Sequence, residues 1–313
     1  MRRILLLALT VPALWAGGPA TGGYAGAFAR LGADARSGAL AGALLADINA
    51  GHLALTNPAS MVYVQRRELG LSYMALPLDR TLQGLSLATG LPPSAAVGIS
   101  YLRAGDSNIL ARNSIGEPGD LLTYAESMVV LSFANRMSPS FSVGLNAKDL
   151  IVNLGAEDAR GFGLDLGVLY HRPGGLNLAL RVQNVTGAVS WRVAASQGER
   201  VYVDDLPTIV SVGARIPWRH FTFFGQTDVI FPKFRSNEKI VYELPFPVFK
   251  LAVEDIFWER YFVRGGLDHT TPTAGVGVRY SVRRPQDSRV DYSLSLGKAG
   301  EGLGHLFTWL FSF

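Results

Sequence analysis

From Arg66 to the last residue, apolar and polar positions alternate with a period of two. Phe162, Leu164, Leu166, Val168 and Tyr170 alternate with Gly161, Gly163, Asp165, Gly167 and Leu169. Ala274, Val276 and Val278 alternate with Gly275, Gly277 and Arg279, and Val290, Tyr292 and Leu294 with Asp291, Ser293 and Ser295. Successive strand side chains point to opposite faces, so each segment has one apolar face and one of glycine, serine and charge. The pattern predicts about fourteen strands, each near the roughly 9–11 residues of a membrane strand. They fall near 66–76, 81–90, 95–104, 125–135, 140–152, 160–171, 175–184, 207–216, 219–231, 246–256, 259–267, 272–282, 289–297 and 305–313. Every second connection is short, as at Leu91–Ser94, Arg136–Pro139, Arg172–Gly174, Pro217-Trp218 and Arg283–Ser288. The long ones, 105–124, 185–206 and 232–245, fall in the other set. Membrane barrels of the bacterial outer membrane have this asymmetry, with short periplasmic turns and longer outside loops, and an even strand number puts both termini at the periplasm.

A soluble β-sandwich also alternates, with its apolar face turned inward. Three features favour a barrel. The polar face is mostly glycine and serine with isolated charges, unlike a solvated sheet. Phe141, Tyr170, Trp218, Trp258 and Tyr261 gather near the short turns, as an interfacial girdle does. The chain ends with His305, Phe307, Trp309, Phe311 and Phe313 on one face of a strand without Asp, Glu, Lys or Arg. That face suits lipid, on a strand that closes a ring without free edges.

Composition narrows the choice. The 313 residues carry a net charge of +4 and 17% charged residues, with a mean hydropathy of +0.20. Disorder needs the opposite balance, and the small basic excess is spread along the chain, which argues against nucleic acid as a partner. With no cysteine, disulfides, thiolate zinc sites and cysteine nucleophiles are excluded. Arg2 and Arg3 precede the apolar run Ile4–Trp15, with small residues from Ala16 to Ala20. This reads as a leader cleaved after Ala16 or Ala20, since the run is short of the ~20 residues a spanning helix needs. The expected organisation is a leader over 1–20, a distinct segment over 21–64 with a short helix at Ser37–Leu45, and a barrel over 65–313.

That distinct segment carries Gly26-Ala-Phe-Ala-Arg30-Leu-Gly32, then Ala35-Arg36, Gly38, Gly42-Ala43 and Asn57-Pro58-Ala59. It resembles the opening of PorV/PorQ proteins, which look like a branch of the FadL-type barrels. The resemblance implies an all-β, 14-stranded transmembrane antiparallel barrel in the outer membrane, with an N-terminal hatch formed by the segment holding Arg30, Gly32, Arg36, Gly42, Asn57, Pro58 and Ala59. It also implies that Trp309, Phe311 and Phe313 form a signal read by the barrel assembly machinery. Two functions follow from it. PorV members suggest a shuttle for secreted proteins with C-terminal signal domains in type IX-like export. FadL suggests passive transport of long-chain fatty acids or other hydrophobic small molecules. Outer loops shorter than those of FadL transporters favour the first.

A barrel of about fourteen strands is too wide for wall side chains to fill. The glycine- and alanine-rich segment is suited to occupy it, with Arg30 and Arg36 tethered to wall carboxylates or else facing periplasmic water. Asn57 suits an Asx turn. Lys148, Asp165, Arg181, Asp228, Arg264, Arg279 and Asp291, with Gln226, Lys250 and Glu254, take the inward phase. Charges of both signs there fit structural ion pairs or a substrate path. Phe221, Phe223, Phe224, Phe246 and Phe249 are expected mostly to face lipid, and Asp204 and Asp205 to lie solvated in a loop or to bind calcium. No His-Glu-x-x-His, P-loop or nucleophile elbow is present, and the five histidines lack metal spacing. His171 beside an inward serine would imitate an outer-membrane phospholipase, but no orienting group is placed by sequence. The chain reads as a non-enzyme without metal or cofactor. Deleting Phe313 should reduce the heat-resistant folded band in outer-membrane fractions several-fold, and unchanged insertion would remove the terminal signal.

Overall fold

The computed structural model describes residues 24–49, 52–113, 115–155, 157–195, 198–236, 239–269, 271–282, 288–296 and 302–313. The leader, with Ala16 and Ala20, lies outside the described residues, as does most of the turn 283–288. The strands in chain order are β1 Glu68–Ala75, β2 Thr81–Leu91, β3 Ala95–Arg112, β4 Pro118–Ser138, β5 Phe141–Leu154 and β6 Glu157–His171. Next come β7 Asn177–Gln183, β8 Gly187–Ala195, β9 Gly198–Asp205, β10 Thr208–Trp218, β11 Phe221–Phe231 and β12 Lys233–Ser236. The last are β13 Lys239–Tyr242, β14 Phe246–Phe257, β15 Tyr261–Asp268, β16 Thr271–Tyr280, β17 Ser288–Leu296 and β18 Leu303–Ser312.

Fourteen of these, β1–β7, β10, β11 and β14–β18, close into one antiparallel ring. The ring shuts where β1 meets β18, in register from Glu68 opposite Ser312 to Ala75 opposite His305. Arg67 and Phe313 extend that seam by exchanging two backbone hydrogen bonds, of 3.2 and 2.9 Å. A closed ring leaves no ladder groups without partners in hydrocarbon, which an open sandwich edge cannot achieve.

The alternation resolves as an apolar outside and a polar inside. On β6, Phe162, Leu166 and Tyr170 are exposed, while Gly161, Gly163, Asp165 and Gly167 are buried. On β18, Phe307 and Trp309 point outward, and Leu306, Thr308 and Leu310 inward, with Phe313 exposed just beyond it. Exposed apolar side chains in this number suit lipid rather than water. Phe141, Tyr170, Trp218, Trp258 and Tyr261 are exposed at the end of the ring where the chain closes, here called the proximal end. Phe224 departs from its aromatic neighbours: it is buried and packs with Leu40 and Leu44.

The three long connections are not irregular loops. Residues 105–124 prolong β3 and β4 beyond the ring, with a register shift between Asp106 and Ile109. The tip turns on Asn113, whose Oδ1 accepts from the amides of Ile115 and Glu117 at 3.1 and 2.9 Å. Residues 185–206 form the β8–β9 hairpin, which replaces β7 as the partner of β6 beyond Gly163. The switch occurs at Asn184, in the left-handed region at φ 51°, which asparagine tolerates. Residues 232–245 contain the β12–β13 hairpin. Continued ladder pairing satisfies backbone groups that a loop would leave to water.

The Asp204-Asp205 pair therefore sits on a strand. Asp205 is buried and takes Arg235 at 2.9 Å, and Asp204 accepts from the Trp191 indole at 2.8 Å. Boiling before electrophoresis should shift the apparent size of the protein. Identical migration of heated and unheated samples would contradict a closed ring.

Candidate functional site

The ring encloses residues 24–49 and 52–64, called here the inner segment. Little of it is regular: 3-10 turns at Ala27–Arg30 and Pro58–Tyr63, helix α1 at Ala35–Ala39 and helix α2 at Leu53–Thr56. The helix expected over Ser37–Leu45 is thus shorter and begins earlier. Asp34 caps it by accepting from the Ser37 amide at 2.8 Å, and it stops before Gly42, in the left-handed region at φ 70°.

An irregular buried segment carries many amides and carbonyls without helical partners. Wall side chains supply the partners. Asn146 donates to the Ala54 carbonyl at 2.8 Å, Asn177 to Ala46 at 3.0 Å, Ser142 to Ala59 at 2.9 Å and Thr273 to Ala39 at 2.9 Å. Gln226 accepts from the Leu45 amide at 3.1 Å, and Thr308 from Ala35 at 2.7 Å. Arg181 donates to the carbonyls of Leu55 and Thr56 at the end of α2.

Asn-Pro-Ala docks on bare wall. Asn57 accepts from the Ala59 amide at 3.1 Å, the Asx turn expected, and donates to the carbonyls of Leu45 at 3.0 Å and Val168 at 3.3 Å. Beneath it lie Gly144 of β5 and Gly167 of β6. A Cβ on Gly144 would collide with the backbone of Pro58 and Ala59, and one on Gly167 with the Asn57 amide. The glycines on the inward face are thus where the backbone of the inner segment approaches the wall.

The main electrostatic tie is Arg36. Its guanidinium grips Glu254 of β14 with both Nε and Nη2, at 2.9 and 3.0 Å, and pairs through Nη1 with Asp47 of the inner segment. Asp47 lies 3.2 Å from Arg215 of β10. Glu254 also takes Arg264 at 2.7 Å, Arg264 reaches Asp291 at 2.7 Å, and Arg289 reaches Asp291 at 2.6 Å. The side chains of Arg36, Asp47, Glu254, Arg264 and Asp291 are at most 3% exposed. Burial alone would lower the Arg36 pKa, but the two carboxylates raise it well above the ordinary value. Arg279 stands beside this chain, half-buried, with its guanidinium 4.8 Å from the centre of the Phe262 ring. Elsewhere on the inner wall, Lys148 of β5 pairs with Asp165 of β6 at 2.6 Å, and Lys250, on β14 with Glu254, pairs with Asp228 of β11 at 2.9 Å.

His52, fully sealed, shares the Ser72 hydroxyl at 3.1 Å, and Ser72 shares Thr308 at 2.9 Å. Burial pushes the His52 pKa down, so it sits there as a neutral imidazole. His171 pairs with Asn177 at 2.8 Å and stacks edge-on with Tyr63, so an amide orients it.

Arg30 and Gly32 line a cavity instead of joining the ion chain. This cavity, about 660 Å³, lies at the distal end of the barrel, opposite the end where Arg67 and Phe313 close the seam. Its floor is Ala27–Gly42 of the inner segment, and Phe28, Leu31, Met74, Leu76 and Ile109 give it apolar surface. Arg30 interacts there with Glu126 and Tyr24. A smaller cavity of about 170 Å³ adjoins it beside Lys148, Asp165, Arg181 and Asp228, sharing Lys250 and Asp268 with the larger one.

The barrel has solved counterparts. CymD, a monoaromatic hydrocarbon channel, superposes with a TM-score of 0.65 at 14% identity, over 91% of this chain and 98% of its own. TbuX, the Ralstonia pickettii toluene transporter, gives 0.63 at 14% identity over 91% and 100%. A Pseudomonas aeruginosa FadL homologue gives 0.58 at 11% identity over 90% and 98%. The fold is that of the FadL-type barrels. No protein-family model matches the sequence and no curated sequence is similar to it, so the PorV/PorQ resemblance of residues 26–59 stands on its motifs alone.

Asp47, Asn146, Asn177 and Ser142 were not singled out from the sequence. The strand residues among them share the inward phase with Lys148 or Arg181, and that phase was the signal available. Arg36→Met should loosen the inner segment by about 3 kcal/mol, the lower end for breaking a buried ion pair, because Arg264 and Arg215 stay with the orphaned carboxylates. Hydrogen exchange at residues 35–47 should then quicken roughly a hundredfold while the ring strands keep their protection. Unchanged exchange would show that the ion chain does not hold the segment.

Proposed function

We propose that this chain is a non-enzymatic outer-membrane channel for apolar small molecules, with the inner segment as its hatch. The observation that carries the reading is the distal cavity, partly apolar and floored by Ala27–Gly42, in a barrel whose fold is shared with a hydrocarbon channel and a toluene transporter. An apolar molecule reaching the distal mouth leaves water for Phe28, Leu31, Met74 and Leu76, gaining roughly 25 cal/mol per Å² of apolar surface covered. Further passage leads through the level of α1, which Arg36 and Thr273 tie to the wall. The leader expected at residues 1–20 and assembly through the terminal phenylalanine fit the same location. The short outer loops that favoured protein handling are β-hairpins here. None of the three similar structures is a secretion component, so the PorV/PorQ export role is left as an outcome of the test.

A disulfide clamp tests the hatch. A Cβ added to Gly38 would stand 3.6 Å from that of Ser293 on β17, within the range a disulfide bridges. The native chain has no competing cysteine. In cells lacking other hydrocarbon channels, the wild-type protein should raise uptake of radiolabelled ethylbenzene several-fold over cells without it. The oxidised Gly38→Cys/Ser293→Cys variant should fall to background and recover on reduction. Uptake in the clamped form equal to wild type would exclude movement of α1. Background uptake with the wild type, together with stoichiometric proteins co-purifying in mild detergent, would make the barrel an export component instead.

A further inference from the structure

The distal cavity has two chemically different sides. Its apolar groups come from the inner segment and from the β1–β3 wall: Phe28, Leu31, Met74, Leu76 and Ile109. The side formed by β15–β17 presents Asp268, Thr271, Thr273, Ser293 and Ser295. Thr273 is engaged with the Ala39 carbonyl. Asp268 feels the charges of Lys250, Asp228 and His269 nearby, but no hydrogen bond or ion pair within 4 Å joins its carboxylate to another described residue. One of its oxygens, Oδ1, is sealed in the wall without a partner among the described residues.

Lys250 faces Asp268 directly across the β14–β15 ladder, yet its ammonium is turned to Asp228 at 2.9 Å. Arg80, another cation of the cavity, donates to the Pro77 carbonyl at 3.0 Å. This wall therefore offers an acceptor without a donor. A carboxylate-bearing molecule would bring like charge against Asp268, and an ammonium would stand near Lys250. A neutral donor suits both neighbours.

Resting on the channel reading above, we infer that the cavity takes neutral amphipathic molecules, an apolar body carrying one hydroxyl group, and that Asp268 accepts the hydroxyl hydrogen bond. The apolar body lies against Leu31, Met74 and Leu76. Asp268 is then the residue that separates hydroxylated cargo from plain hydrocarbon.

The test is equilibrium dialysis of the detergent-solubilised full chain against empty micelles, with 4-butylphenol, pentylbenzene and 4-butylbenzoate as probes of similar size. The wild type should bind 4-butylphenol about tenfold more tightly than pentylbenzene, as expected for a hydrogen bond to a charged group, and 4-butylbenzoate least. Asp268→Ala, checked for folding by heat-shifted electrophoresis, should lose the phenol preference and keep its affinity for pentylbenzene within about twofold. Asp268→Asn, which retains an acceptor, should keep part of it. Equal binding of the phenol and the hydrocarbon would overturn the inference while leaving the channel reading intact. So would tightest binding of the benzoate, or a phenol preference that survives in Asp268→Ala. Binding of none of the probes, with no ethylbenzene uptake, would overturn both.

Discussion

Inside a bilayer no water completes the hydrogen bonds of the backbone, and the architecture of this chain follows from that shortage. The ring answers it by ladder pairing around fourteen strands, shut at β1 and β18. The answer brings a second difficulty, because a ring of this width encloses more space than its own side chains fill. The inner segment occupies that space, but it is short of helix, so its own amides and carbonyls need partners. Asn146, Asn177, Ser142, Gln226, Arg181 and Thr308 provide them from the wall. The polar inward face is thus the complement of an irregular backbone as much as a lining for solvent.

The ion chain through Arg36 belongs to the same logic. Buried ion pairs contribute little net stability compared with well-packed apolar residues, but removing one member is costly. Such a network discriminates well between docked and undocked arrangements. Arg36 reaches Glu254 with two hydrogen bonds of nearly equal length, which fixes both the depth and the rotation of α1. The apolar contacts of Leu40, Ala43 and Leu44 with Phe224 and Ala252 are less particular about register.

Much of this was legible in the sequence. A period of two separates the faces without knowledge of the fold, which is why Lys148, Asp165, Arg181, Asp228, Arg264, Arg279 and Asp291 could be placed inward together. The strand number followed from the same alternation. The projecting hairpins were not legible, because beyond the lipid both faces of a strand meet water and the alternation fades. Partner identity was not legible either. Asn146 on an inward face says that something polar lies opposite, but the Ala54 carbonyl is a feature of backbone path, which leaves no mark at position 54. The short α1 escaped because Ser37–Leu45 has helix-compatible residues apart from glycine, and the left-handed turn at Gly42 ends it early. Phe224 is the exception among phenylalanines expected mostly to face lipid, because it lies one position out of phase with Phe223, as the alternation itself requires.

The partners of Arg36 also set an order of events. Glu254 lies 218 residues further along the chain, and Thr308, which holds the Ala35 amide, 273 residues further. The earliest part of the described chain is therefore seated by some of its last strands. It cannot reach its final position until β14 and β18 exist as walls. Once β18 has zipped to β1 the ring offers no lateral way in for a segment covalently continuous with β1. Docking of the inner segment is therefore a late step of biogenesis, which waits for the last strands of the ring.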